Sequence, residues 1–306
     1  MTDDVAILMG TYQGALFLPE QLDSIRRQTY SNWSLWVSDD GSTDETLDIV
    51  RSFGESVPSP VHILNGPRRG FIRNFLTLVC NPSVNAAYVA FSDQDDVWHS
   101  DKLERALAWL RQQSNDIPAL YCSRTRTVDE RGLSIGKSPL FTRPPSFLNA
   151  LVQSIGGGNT MVMNRAARAL LVAGAADADI PSHDWWAYLL VSGAGGRVRY
   201  DPNPTIDYRQ HDSNLVGSNT GWRAKVRRAR MLTESRFRKW NSQHSEALRR
   251  VEHLLTNENR SRLEEFRQIR VRALPIRLWM LYRSGLHRQT FLGNVSLWVA
   301  AVLRQI

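Results

Sequence analysis

Four short apolar segments, Val5–Met9, Trp33–Ser38, Val61–Leu64 and Tyr88–Phe91, alternate with helix-period stretches over the first hundred residues. Strands this rich in Val, Ile, Leu and aromatics are covered on both faces. Their alternation with helices predicts an α/β fold with a mostly parallel sheet. In such sheets ligands bind beyond the C-terminal strand ends. Three loops leave those ends: Thr11-Tyr12-Gln13-Gly14, Asp39-Asp40-Gly41-Ser42-Thr43-Asp44 and Asp93-Gln94-Asp95-Asp96. Their convergence predicts one site.

The third loop is the most loaded. The apolar run Tyr88–Phe91 ends in three carboxylates within four positions. Crowded carboxylates raise one another's pKa unless a cation shares them. Mg²⁺ or Mn²⁺ takes one or two carboxylates and completes its shell with substrate phosphates. The competing reading is an acidic turn capping the helix that starts at Ser100-Asp101-Lys102-Leu103. The second loop is equally double-edged. Asp39 and Asp40 could cap a helix, or accept bonds from a nucleobase or ribose, as acids do at strand ends of dinucleotide folds. Neither a glycine-rich phosphate fingerprint nor a P-loop occurs, which disfavours dehydrogenases and P-loop enzymes.

Charge divides the chain. Residues 1–221 hold 19 Lys+Arg against 24 Asp+Glu, a net of −5, whereas residues 222–306 hold 19 against 6, a net of +13. We therefore expect a catalytic domain over 1–217 and a basic helical region over 218–306. Trp222–Trp240, Pro275–Arg283 and Phe291–Leu303 interleave Trp, Leu and Phe with arginine. Such stretches suit the headgroup region of an anionic leaflet, or pack their apolar side on the catalytic body. Nucleic acid is not an expected partner, since no recognised module accompanies the charge. Cys80 and Cys122 offer no disulfide framework, so a reducing compartment fits. The acidic start reads as no signal peptide, and no apolar run approaches the ~18 to 20 residues that span a bilayer. The expected location is cytoplasmic, or peripheral on the inner face of the plasma membrane.

Three downstream motifs carry candidate chemistry. Gly156-Gly157-Gly158-Asn159-Thr160 lets backbone approach a ligand or merely serves a tight turn. His183-Asp184-Trp185-Trp186 places an acid at a helix start, as a cap or as a base; a Trp here stacks on a sugar or fills the core. Tyr208-Arg209-Gln210-His211 ends in a histidine that is structural or a ligand.

Taken together and in order, Thr11–Gly14, Ser38–Asp44 and Ser92–Trp98 resemble the signatures of family 2 glycosyltransferases with the GT-A fold. The resemblance extends over roughly residues 4–217 and is greatest to a bacterial rhamnosyltransferase-like branch. It implies a GT-A type, Rossmann-like sheet with flanking helices, plus the helical C-terminal region. It also implies inverting transfer of a sugar, rhamnose in that branch, from a dTDP- or UDP-sugar to a hydroxyl. The acceptor would be a glycan or lipid-linked molecule of cell-surface polysaccharide synthesis, such as O-antigen. Carried over, Asp39 binds the base with Asp40 beside it, and Thr11 and Tyr12 line the nucleotide pocket. Asp93 touches the ribose, Asp95 ligates Mg²⁺ or Mn²⁺, and Asp96 braces the loop or approaches the donor sugar. Arg69 contacts phosphate, or is simply an exposed arginine. Asp184 is the base, with His183 standing where many members carry Glu. His211 ligates the metal or binds diphosphate, and Arg209 stabilises the leaving group. Two other readings compete: a sugar-phosphate nucleotidyltransferase, and a catalytically silent nucleotide- or lipid-binding adaptor on the same fold.

Overall fold

The computed structural model describes residues 3–175, 179–211 and 236–306. Strands β1 (Val5–Thr11), β2 (Trp33–Asp39), β3 (Val61–Asn65) and β4 (Tyr88–Ser92) alternate with helices α1 (Leu18–Arg26), α2 (Thr46–Ser56) and α3 (Phe71–Cys80). The strands pair in parallel in the spatial order β3-β2-β1-β4. The chain thus steps outward from β1 and returns on its other side at β4. The strand order reverses between β1 and β4, and at such a switch point open α/β sheets hold their ligand crevice.

Next come β5 (Val97–Trp98), α4 (Lys102–Leu110), β6 (Ala119–Ser123), β7 (Arg126–Val128), β8 (Ser134–Lys137) and α5 (Phe147–Ala150). They are followed by β9 (Val162–Asn164), α6 (Arg165–Ala173), α7 (His183–Gly193), β10 (Arg197–Asp201) and β11 (Ile206–Arg209). Strands β9, β6 and β10 extend the main sheet to seven, and only β9 runs antiparallel to its neighbours. The expected mostly parallel sheet with flanking helices is what forms. Its two faces are both apolar: Val5, Ile7 and Met9 pack with Leu22 and Leu107, while Ala6 and Leu8 pack with Phe75 and Trp186.

A second sheet, β5-β11-β7-β8, sits beside the first. Its antiparallel β5–β11 pair sets Ile206 opposite Trp98 and Asp207 opposite Val97. This register carries the residues after β11 back over the acidic loop that precedes β5.

The C-terminal helices α8 (Arg236–Arg250), α9 (Asn257–Val271), α10 (Leu274–Ser284) and α11 (Phe291–Val302) pack on the body. Leu248, Leu263, Phe266, Leu281 and Leu297 share one core with Trp185, Trp186 and Leu190. Asn259 Nδ2 donates to the carbonyls of Ser192 (3.2 Å) and Gly193 (2.9 Å) at the end of α7. Asn257 opens α9, and Pro275 follows Leu274 at the start of α10. Thr256 caps α9 through its hydroxyl, and Pro275 occupies the first turn of α10, where its missing N–H costs nothing. Of the basic stretch Trp222–Trp240, residues 222–235 lie outside the described residues. No described helix is long and apolar enough to cross a membrane.

His244 lies buried between Trp185 (centroids 4.6 Å apart) and the parallel ring of Trp186 (6.4 Å). Neither of its ring nitrogens finds a hydrogen-bond partner among the described residues. Burial pushes its pKa down to about 3, so the fold holds it neutral. The unfolded chain takes up this proton near pH 6.5 and the folded one does not. The contribution is therefore complete above about pH 6.5 and is lost toward pH 3, at up to roughly 1.4 kcal/mol per pH unit. Urea unfolding at stepped pH should show this slope, and His244→Phe should flatten it.

Candidate active site

The loops at the switch point are tied together before any ligand is considered. Gln94 pairs its side-chain amide with the backbone of Tyr12 in both directions, each at 2.9 Å. That bridge explains Gly14, because a Cβ there would lie 2.3 Å from Gln94 Oε1. The Tyr12 ring is left 57% exposed at the crevice mouth. Such a ring offers a stacking face to a nucleobase.

The second loop is closed on itself. The Asp39 carboxylate accepts from Thr11 Oγ1 (2.9 Å), Ser42 Oγ (2.6 Å) and the N–H groups of Gly41 (3.1 Å) and Ser42 (2.8 Å). Asp39 and Thr11 are both buried. The resemblance gives Asp39 the base and Thr11 a place in the pocket wall; in the structure the two are joined to each other at the ends of β1 and β2. These four donors hold the Asp39 carboxylate in one orientation. Asp40 accepts from the backbone N–H of Gly70 (2.7 Å) and Arg69 (3.3 Å), tying the loop before α3 to the end of β2. The exposed Arg69 guanidinium forms no ion pair among the described residues.

In the acidic loop the three carboxylates part company. Asp95 Oδ2 lies 2.9 Å from His211 Nε2, and both side chains are partly exposed. Phe17 supports the imidazole, with ring centroids 4.8 Å apart. Asp96 is fully buried and accepts from Asn159 Nδ2 and from the Arg209 N–H (3.2 Å). Burial, then the charges of Asp95 and Asp93, raise its pKa well above the usual carboxylate range. Asp96 therefore braces the loop from within the protein. Asp93 is pushed up to about 7, first by burial and then by the charges of Asp95 and Asp184. Among the described residues no three His, Cys, Asp or Glu side chains form a ready metal cage. Asp95 and His211 meet as a carboxylate–imidazole pair with both side chains partly exposed.

Arg209 enters from behind. Its guanidinium donates to the carbonyls of Asp95 (3.1 Å) and Glu130 (2.8 Å), pairs with Glu20, and lies over Phe17. With a side chain only 2% exposed, it holds the acidic loop from the protein side. The resemblance set Arg209 toward a departing diphosphate; the contacts here set it behind the acidic loop.

Opposite the acids stands the start of α7. Ser182 caps the helix, and Asp184 sits in its first turn, the end of the helix dipole that favours a negative charge. Asp184 Oδ1 accepts from the Ser182 hydroxyl and the Trp185 N–H (2.7 Å), and Oδ2 from the Gly158 N–H (3.2 Å). The glycine cluster thus holds Asp184. Gly158 is also needed for space, since a Cβ would lie 2.5 Å from His183 Nε2. His183 itself is buried, stacked on Phe75 at 4.1 Å with Phe91 at its edge, and burial pushes it down to about 4. It is a neutral packing residue. Trp185 and Trp186 are buried too, so neither stacks on a sugar.

Sequence reasoning missed Lys102. It is fully buried, with Nζ 2.8 Å from the Asn159 carbonyl and 3.2 Å above the Trp98 ring centroid. Burial lowers its pKa well below the ordinary lysine value, against the pull of Asp96 and Asp93. Its position on the apolar stripe of α4, with Leu103, Ala106, Leu107 and Leu110, was a signal, because a buried lysine needs a partner. Lys102→Met should destabilise the fold by about 3 kcal/mol, since it leaves buried acids uncompensated. Urea unfolding measures this directly.

The parallel βαβ units, the switch-point crevice and the paired acidic loops define a GT-A type glycosyltransferase fold. Solved structures share it: S. aureus TarS in complex with UDP-GlcNAc has a TM-score of 0.54 at 13% identity over 98% of this chain and 90% of that one. Mannosyltransferase PcManGT from Pyrobaculum calidifontis, in complex with GDP-Man and Mn²⁺, has a TM-score of 0.51 at 17% identity over 97% and 86%. The chain belongs to glycosyl transferase family 2, whose family model matches residues 6–170. The dTDP-rhamnosyl transferase RfbG of Shigella flexneri is 31% identical over 244 residues, covering 76% of this chain and 81% of that protein. The Escherichia coli UDP-Glc:alpha-D-GlcNAc-diphosphoundecaprenol beta-1,3-glucosyltransferase WfgD is 31% identical over 118 residues, 38% of this chain and 44% of its own length.

Proposed function

We propose that this glycosyltransferase moves a deoxyhexose such as rhamnose from a dTDP-sugar, with inversion, to a hydroxyl of a glycan or lipid-linked acceptor in cell-surface polysaccharide synthesis. One observation carries the reading: Asp95 and His211, 116 positions apart, meet at 2.9 Å beyond the end of β4. Residues 1–217 would supply the chemistry and the C-terminal helices would buttress α7.

The donor set fits a divalent cation. A carboxylate oxygen and an imidazole nitrogen, side by side and partly exposed, suit Mn²⁺ and leave positions for diphosphate oxygens. When bound, such an ion neutralises the charge that develops on the leaving diphosphate. Tyr12 stacks on the base, while Asp40 sets the position of the Arg69 loop against the nucleotide. Asp93 hydrogen-bonds the ribose. Asp184 takes the proton of the acceptor hydroxyl as that oxygen attacks the anomeric carbon. Ser182, Gly158 and the α7 N-terminus fix its carboxylate for that step. The dTDP preference rests on the likeness to RfbG.

The test is donor hydrolysis and thermal shift across dTDP-rhamnose, UDP-glucose and GDP-mannose, each with and without Mn²⁺. A Mn²⁺-dependent response largest for dTDP-rhamnose is expected. Equal silence across all three donors would sink the reading.

A further inference from the structure

We propose that the outer face of the α10–α11 hairpin is a docking surface for an anionic phospholipid bilayer. These two helices lack the polar side that a surface helix normally presents. Their inner positions, Leu281, Leu297, Ala300 and Ala301, are buried in the core. Their outer positions are also apolar: Ile276, Trp279 and Tyr282 on α10, and Phe291, Leu292 and Trp298 on α11. Tyr282, Phe291 and Leu292 are 78%, 82% and 76% exposed, which water alone does not reward. A helix apolar all round belongs inside a protein or at a membrane.

Length decides how it meets the membrane. With 12 residues, α11 is about 18 Å long, well short of a ~30 Å hydrocarbon core. It therefore lies flat. The hairpin is rigid enough to present one face, because the buried Arg277 guanidinium donates to the carbonyls of Ala301 (2.7 Å) and Arg272 (2.6 Å).

Charge identifies the occupant. Residues 266–306 contain seven arginines and no Asp or Glu. Arg272, Arg283 and Arg304 are exposed, and Arg283 lies 5.1 Å over the exposed Trp279 ring. Trp, Tyr and Arg around an apolar patch match the headgroup layer, with cations drawn to anionic lipid. A second copy fits poorly, since a two-fold contact through this face would set the same arginines against one another. The inference does not rest on the identity of the sugar donor.

The test is co-sedimentation of the full chain with vesicles of phosphatidylcholine alone or of phosphatidylcholine with phosphatidylglycerol. Binding to the anionic vesicles only, weakened by added salt, is expected. Phe291→Ser with Leu292→Ser, and separately Arg272→Glu with Arg283→Glu, should each lower vesicle affinity at least tenfold. Both should keep the wild-type melting temperature, since the altered side chains are exposed. Three results would overturn the proposal: no wild-type binding, wild-type binding by both variants, or a stable dimer that the Phe291/Leu292 variant dissolves. Wild-type binding by both variants would point to other basic segments of the chain.

Discussion

Asp184→Asn should reduce kcat for transfer by about 10²–10⁴-fold, the usual worth of a positioned general base. Asparagine keeps the shape of the side chain and can still accept through its Oδ1 atom. That oxygen keeps the Ser182 hydroxyl and the Trp185 N–H, whereas the Gly158 N–H loses its acceptor, so urea stability should fall by about 1 kcal/mol and the fold survive. What is lost is the ability to take the acceptor's proton. The donor KM should stay near wild type, because Asp184 reaches the site from the α7 side and not from the nucleotide loops. Initial-rate kinetics with varied donor and saturating acceptor separate these terms. A variant with unchanged kcat would remove Asp184 from the mechanism.

Asp95→Ala should lower both donor hydrolysis and transfer by about 10²–10³-fold, as expected when a stabilising group for leaving-group charge is lost. Added Mn²⁺ should not restore it. His211→Ala should keep measurable turnover but require a higher Mn²⁺ concentration, because one carboxylate ligand remains. Asp96→Asn serves as the contrast. Its side chain is buried against Asn159 and Arg209, so its cost should appear in urea unfolding at least as strongly as in kcat. Rates that respond equally to all three substitutions would contradict the division of roles among the loop's residues. Mn²⁺ titrations of hydrolysis, run beside unfolding curves, make the distinction.

Much of the frame was legible in the sequence because it is set by local pattern. Continuous apolar runs of strand length, each separated by a helical stretch, leave a covered parallel sheet as the economical way to bury both faces. The loops named from sequence do gather at one edge, since parallel strands all point their C-terminal ends the same way. Individual roles were less legible. Nothing local distinguishes Asp95, facing His211, from Asp96, buried one residue later. Likewise Asp39 carries the composition of a ligand-binding acid, and only the structure shows its oxygens held by Thr11 and its own turn.

The sequence by itself determined the alternation of the first four strands with their helices, the acidic ends of β2 and β4, and the charge division between body and C-terminal region. These depend on residues near one another in the chain. Tertiary structure alone decided which acids face the crevice. The β5–β11 register, with Asp207 opposite Val97, carries His211 to Asp95 and the Arg209 N–H to Asp96. The packing of α4 then buries Lys102 beneath Asn159. Pairings across 57 to 116 positions come from sheet register and burial, which no local pattern encodes.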